Sequence, residues 1–282
     1  ITGNGAIPDY SADSKAPWSS YAKYIKTITL EEGVTVVGEY AFADCTSLTE
    51  IVIAASLTEI HGNAFPQKAV MKAVRISDLA AWCRIAFTGL SENPLFYGGV
   101  LYLNGEKLTE VTIPDGVTSI AVGAFYGQTS VKSVRIPAGV TEIGASAFSG
   151  CTELRDLVIP HGVTVIRSLA FSFCPRLSSV MFPEGLTTIG YAAFYGDTAL
   201  TEVMLPTTLK RIGTDAFVGC TALKKVTNLS ALGIIAGSSE HGGVAQYADT
   251  VINMLRDGFV TVDGEWYYYQ NGKPFYGWIV AD

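Results

Sequence analysis

Metal binding or nucleophilic catalysis would have to come from five cysteines and three histidines, and their spacing favours neither. Cys45, Cys151, Cys174 and Cys220 recur at one phase of a 23-residue repeat, an inward phase, where a thiol serves as a small buried apolar group. Cys83 stands apart, and no CxxC pair occurs. His61, His161 and His241 lie far apart and at different phases, so they assemble no zinc ligand set. A Cys–His nucleophile pair would need Cys83 to meet a distant histidine, and packing beneath a helix is the better use of that thiol. Cys151 and Cys174 are one repeat apart, yet stacked positions aim both side chains inward with poor geometry for a disulfide. Neither a GxSxG elbow nor a phosphate-cradling GxxxxGK[ST] loop is present. The residues predict a protein without catalysis, metal or cofactor.

Composition narrows the partners. Of 282 residues, 49% are apolar and only 16% charged, which excludes disorder. A net charge of −7 with no Lys/Arg cluster argues against binding nucleic-acid phosphates or anionic lipid. No stretch approaches the roughly 18 uninterrupted apolar residues of a membrane span, and Ile1-Thr2 is not a basic, apolar leader. A soluble, trimmed piece is expected, with no membrane insertion of this segment; the abrupt end at Asp282 suggests that more chain follows.

The elements that position these residues come from periodicity. Units starting at Ile28, Ile51, Val111, Val134, Leu157, Val180 and Val203 each run 23 residues, with apolar residues at unit positions 1, 3, 7, 10, 14, 15, 18 and 21. A fixed period of this size signals stacked coils. Positions 1 and 3 alternate as in a short strand with one buried face. Pro114, Pro137, Pro160, Pro183 and Pro206 follow at position 4, where a missing N–H ends ladder pairing. A glycine then turns the chain into an extended Val/Leu-Thr-x-Ile segment, followed by an Ala-Phe pair read as a tight helical turn. Phe42, Phe65, Phe125, Phe148, Phe171, Phe194 and Phe217 share position 15 and should form one buried column.

One interval breaks the rule: Val74 to Glu110 is 37 residues, 14 more than a unit. Within an insertion at about 77–108, Ser77 should cap a short helix over Asp78 to Trp82, and Asn104-Gly105 should turn a hairpin. We expect this element to protrude from the side of the stack, with Trp82, Phe87, Phe96 and Tyr97 mostly packing. Residues 1–27, with Pro8, Tyr10, Pro17, Trp18 and Tyr21, should cap the first coil, and 28–225 form the repeat region. Residues 226–282 should form a second cap. There Val244, Tyr247, Ala248, Val251, Ile252 and Leu255 line one face of a helix, and turn signals at Asp263-Gly264 and Asn271-Gly272 mark a three-stranded meander.

Stacked strands present one continuous outward face, supplied by positions 23 and 2. Position 2 places Val158, Met181 and Met204 in a row on adjacent coils, flanked by Arg135, Asp156 and Glu202. Either β-propensity merely tolerates these apolar residues, or the row, with its charged rim, is a protein or peptide contact or the contact of a crystal dimer.

The unit pattern x-x-V-x-I-P-x-G-V-T-x-I-G-x-x-A-F-x-x-C-x-x-L resembles the BspA-type leucine-rich repeat. GNGAIPDY and APWSSY near the start, and SDLAAWC and NPLFYGGVLYLNGE in the insertion, resemble elements that recur in that family. The resemblance covers about residues 1 to 255. It implies a leucine-rich-repeat solenoid: a right-handed coil, β-rich α/β, with a parallel β-sheet on one face and short extended segments and helical turns elsewhere. It also implies a secreted or surface-anchored, typically bacterial protein, whose relatives adhere to host proteins or other cells, and it carries no catalytic motif. The unit from Ile51 departs, lacking the Pro and Gly and carrying Lys68 at the cysteine position, so that coil should be irregular. The tail from Gly264 to Trp278 is similar to cell-wall-binding repeats that hold choline or glucan between rings, here Trp266, Tyr267, Tyr268, Tyr269, Tyr276 and Trp278; a capping hairpin is the plainer reading. Three functions follow as expectations: recognition of an extracellular protein ligand through the sheet face, a spacer for another domain, or attachment to carbohydrate.

Overall fold

The computed structural model describes residues 1–253 and, beyond them, the backbone of strands Gly258–Val262, Glu265–Gln270 and Lys273–Pro274. The repeats wind into a solenoid with two parallel ladders. In the longer-stranded ladder Thr27–Thr29, Glu50–Ile53, Ala73–Ile76 and Val100–Leu103 pair in order. Glu110–Thr112 then pairs with Ser133–Arg135, and Asp156–Val158, Ser179–Met181, Glu202–Leu205 and Lys225–Asn228 follow. The second ladder consists of short strands after each glycine turn, including Glu142–Ile143, Val165–Ile166 and Thr188–Ile189. Because the units outside the insertion have the same length, like residues fall above like: Leu157 faces Val180, and Ile143 faces Ile166.

All seven phenylalanines at unit position 15 are buried. Phe125, Phe148, Phe171, Phe194 and Phe217 stack at 4.9–5.4 Å between ring centroids and within 11° of parallel, close to the ~4.8 Å strand spacing. Phe42 and Phe65 are looser at 6.1 Å, in keeping with the irregular unit from Ile51.

The Ala-Phe pair does not sit in a helical turn. The residue before the alanine is left-handed in these coils: Tyr40, Asn63, Gly123, Ser146, Leu169, Ala192 and Asp215 have φ of 50–63°. That reversal swings the Phe N–H out of its own coil. Phe125, Phe148, Phe171 and Phe194 each donate to the alanine carbonyl of the next coil, at 2.7–2.8 Å, a bond that a continuing helix would have spent internally.

The insertion begins with a helix at Leu79–Arg84, capped by the Asp78 carboxylate, which accepts from Ala81 N–H at 2.8 Å, rather than by Ser77. It does not simply protrude. Val100–Leu103 pairs in parallel with Ala73–Ile76, and Ala86–Phe87 with Glu59–Ile60, so the open strand edges of the preceding coil draw the segment into the stack as a longer coil. The remaining extra residues form a hairpin, Glu106–Lys107 folding back on Val100–Leu103 through left-handed Asn104 and Gly105. Trp82 and Phe87 are buried and Tyr97 is half-buried, whereas Phe96 is exposed.

At the N-terminus Gly5–Ile7 adds to Val34–Val37, and Trp18 stacks on Phe42 at 5.4 Å. The Trp18 indole N–H donates to the Ala41 carbonyl at 2.8 Å. Trp82 does the same for Ala124 at 2.7 Å. These two alanines open the two runs of the phenylalanine column, where no preceding Phe N–H supplies the donor, and an indole takes its place.

The helix expected over Val244 to Leu255 is absent. A short helical segment at Glu240–Gly243 is broken by left-handed His241, Gly242 and Gly243. Thr250–Asn253 is a strand, parallel to Lys225–Asn228. The open edge of Lys225–Asn228 offers a row of backbone partners, so the segment forms a further coil instead, with Val244, Ala245 and Val251 buried and the Gly242 carbonyl accepting from Phe217 N–H. Leu255 lies outside the described residues. Beyond it the backbone forms a three-stranded antiparallel meander, Gly258–Val262 with Glu265–Gln270 and then Lys273–Pro274.

Candidate functional site

Strand alternation builds the outward face. In Asp156–Val158, Leu157 is buried while Asp156 and Val158 face solvent; Val180 and Val203 are buried beneath Met181 and Met204 in the same way. Val158 lies directly opposite Met181, and the register Ser179 to Glu202 carries Met204 to the next place in the row. The three side chains are 59%, 65% and 56% exposed, a contiguous apolar strip on adjacent coils.

Its rim is polar. Arg135 ends the neighbouring strand Ser133–Arg135 and is exposed. Asp156 accepts from the Ser179 hydroxyl at 3.0 Å, and Glu202 pairs with Lys225 at 3.2 Å. Beyond Met204 the strip ends at Thr227, its opposite number, which is buried. The corresponding face of the first coils is different in kind: Arg75 lies over the Tyr102 ring at 4.6 Å and pairs with Glu50 at 2.7 Å.

All five cysteines are free and buried, and burial pushes the Cys83 and Cys151 thiols up to about 12, away from any nucleophilic state near neutrality. Among the described residues no group of His, Cys, Asp and Glu could hold a metal ion. His61 bridges Asp9, at 2.9 Å, and Glu59, at 3.3 Å, and the Asp9 hydrogen bond raises its pKa. A cleft of about 470 Å³ between the N-terminal segment and the first coil is walled by Tyr10, Trp18 and Tyr40, away from the strip. In the tail Trp266, Tyr267, Tyr268 and Tyr269 fall along the central meander strand, while Tyr276 and Trp278 lie outside the described residues.

Sequence reasoning missed the aromatic surface on the turn face, Phe173 with Tyr191 and Tyr195. Its signal was a phenylalanine at unit position 17, where Gly127, Gly150, Gly196 and Gly219 stand in other coils.

Residues 19–92 and 100–224 match the BspA type leucine-rich repeat region in six copies. Among solved structures the chain is similar to a leucine-rich repeat protein from Eubacterium ventriosum, at 23% identity and a TM-score of 0.52, over 91% of this chain and 73% of that one. It is likewise similar to a leucine-rich repeat protein from Bacteroides ovatus, at 24% identity and a TM-score of 0.51, over 81% of this chain and 63% of that one. No curated protein matches the chain. The likeness to these structures is one of fold.

Proposed function

The chain belongs to the BspA-type leucine-rich-repeat family, and from that premise we propose that it is a non-catalytic recognition protein, secreted or displayed at the cell surface, that adheres to an extracellular protein ligand through its sheet face. The observation that carries this reading is the exposed strip Val158, Met181 and Met204 with Arg135, Asp156 and Glu202 around it. Long unbranched methionines adapt to an opposing surface, and contiguous apolar area with a charged rim is the composition of a protein contact. The rigid ladder beneath fixes the strip before binding, so little ordering entropy is lost on association. Among the described residues no helix is long and apolar enough to cross a membrane. A spacer that only displays another domain would not need this strip. Attachment to wall carbohydrate through the tail rings, Trp266 to Trp278, is a separate use of a separate element.

The test is surface plasmon resonance of the full chain against a panel of extracellular-matrix proteins. The double variant M181E/M204E should weaken binding by at least tenfold, about 1.4 kcal/mol, with an unchanged melting temperature, because both side chains are exposed. Undiminished binding by a folded variant removes the sheet face from the reading.

A further inference from the structure

We propose that the turn face holds a second site, for neutral carbohydrate, built on Phe173, Tyr191 and Tyr195. Position 17 is left-handed in successive coils, with glycine at Gly127, Gly150, Gly196 and Gly219, where the conformation is free of steric cost. Phe173 takes the same conformation, φ 58°, with an aromatic side chain. A bulky residue held left-handed is strained, and its ring is 54% exposed, so burial does not explain the choice. Leu169, four residues earlier, is also left-handed, so one coil carries two such apolar side chains.

The neighbouring coil receives this ring. Phe173 and Tyr195 meet edge to face, 5.4 Å between centroids at 64°, and the Phe173 ring lies so near Gly196 that a Cβ there would sit 3.2 Å from it. Phe173 N–H donates to the Tyr195 carbonyl at 2.7 Å, and Leu169 N–H to the Tyr191 carbonyl at 2.8 Å. The platform is thus pinned at both ends before any ligand arrives. Tyr195 is half-buried, and Tyr191, four residues earlier in the same turn segment, is 51% exposed.

Charge selects the ligand. The turn segments 145–150, 168–173 and 191–196 contain no charged residue, in a chain where 16% of residues are charged. The guanidiniums that adjoin the 168–173 segment in sequence are already engaged, Arg167 with both Glu142 oxygens at 2.7 and 3.0 Å and Arg176 with Glu153. The adjoining segment 214–219 adds a single charge, the carboxylate of Asp215, so an anionic ligand would find no free counter-charge in these turns, while a carboxylate is a ready acceptor for sugar hydroxyls. Exposed rings with phenol hydroxyls match a neutral sugar, whose apolar C–H face covers a ring while its hydroxyls bond the tyrosines.

A glycan array carrying neutral and acidic oligosaccharides, followed by titration calorimetry with the best neutral ligand, tests the proposal on the full chain. We expect neutral glycans to bind, F173G and Y195A to weaken them at least tenfold, and W266A in the tail to leave binding unchanged. F173G restores the glycine of the other coils, so its melting temperature should not fall, which separates lost binding from lost folding. The proposal is overturned if no neutral glycan binds, if F173G binds as the parent does, if W266A alone abolishes binding, or if F173G instead abolishes a concentration-dependent dimer in light scattering. M181E/M204E should bind glycan normally, so the two faces succeed or fail separately.

Discussion

At the scale of single residues the column at unit position 18 contains its own irregularity. Cys151, Cys174 and Cys220 donate their thiols to the carbonyls of Phe125, Phe148 and Phe194, at 3.1–3.3 Å. Asp197 occupies the same place one coil after Cys174 and is fully buried. One carboxyl oxygen accepts from Cys174 N–H at 2.8 Å, and the other has no partner. By the repeat the counterpart acceptor is the Phe171 carbonyl, and only a protonated carboxyl can donate to it. Burial drives the Asp197 pKa well above its ordinary 3.8, so the acid is the form that fits. The folded state then holds a proton that the unfolded chain releases above about pH 4. Stability supplied by the neutral acid is complete below that pH and is lost as pH rises through the folded pKa. D197N keeps the acceptor, supplies an N–H donor and cannot ionise. It should raise stability at pH 8 by about 1–3 kcal/mol, the cost of an unmade buried polar contact, and flatten the pH dependence measured by urea denaturation between pH 4 and 8. An equal pH slope in D197N would place the proton elsewhere.

At the scale of elements the N-terminal segment is held by packing and by charge. Asp9 accepts from Glu39 N–H at 2.7 Å and bonds His61, which also faces Glu59. Asp9, Glu59 and Glu39 together raise the His61 pKa above 6.5, so the clamp is complete below about pH 6.5 and is lost as pH rises through the folded value. The melting-temperature gap between the parent and H61N should therefore be wider at pH 5.5 than at pH 8.5; equal gaps would refute the clamp. None of this contact was legible in the sequence, because Asp9 and His61 lie 52 residues apart outside the repeat phase. The core and the outward strip were legible, because one period fixes the phase of Phe171 and of Met181 alike. The coil at Val244 to Val251 was not, since its apolar spacing suits a helix and a turn followed by a strand equally. What decided it was the open edge of Lys225–Asn228 and the left-handed glycines at 242 and 243, neither of which a helical pattern records. Trp18 and Trp82 were visible as aromatic residues, but the carbonyls they satisfy exist only where a phenylalanine run begins.

At the scale of the whole molecule the insertion divides the solenoid. Both ladders stop there and resume, the longer-stranded one between Glu106–Lys107 and Glu110–Thr112 and the other between Ala86–Phe87 and Ser119–Ile120; the longer-stranded ladder alone is interrupted once more, between Ser133–Arg135 and Asp156–Val158, where the second ladder runs on unbroken. The phenylalanine column likewise skips from Phe65 to Phe125. One backbone bond, from Ala121 N–H to the Cys83 carbonyl at 2.9 Å, the Trp82 indole bond to Ala124, and two amide side chains cross the gap instead. Asn93, fully buried, donates to the carbonyls of Val122 and Gly123 at 3.1 and 3.0 Å. Gln128, buried at the position that other coils give to cysteine, accepts from Leu101 N–H at 2.8 Å and donates to Gly99 at 3.1 Å. A stack of coils transmits stability only between neighbours, so this seam sets whether the two blocks unfold together. Removing one of these amides leaves buried backbone groups unpaired, at about 1–3 kcal/mol each. The double variant N93A/Q128A should therefore turn a single thermal transition into two, with hydrogen exchange rising first in residues 1–108 while residues 111–253 remain protected. A single transition with uniform exchange would mean that the two amides are dispensable and that the Ala121–Cys83 and Trp82–Ala124 bonds with the apolar packing couple the blocks. Because Met181 and Phe173 both lie in the later block, protein and glycan binding should each survive temperatures at which the earlier block has opened.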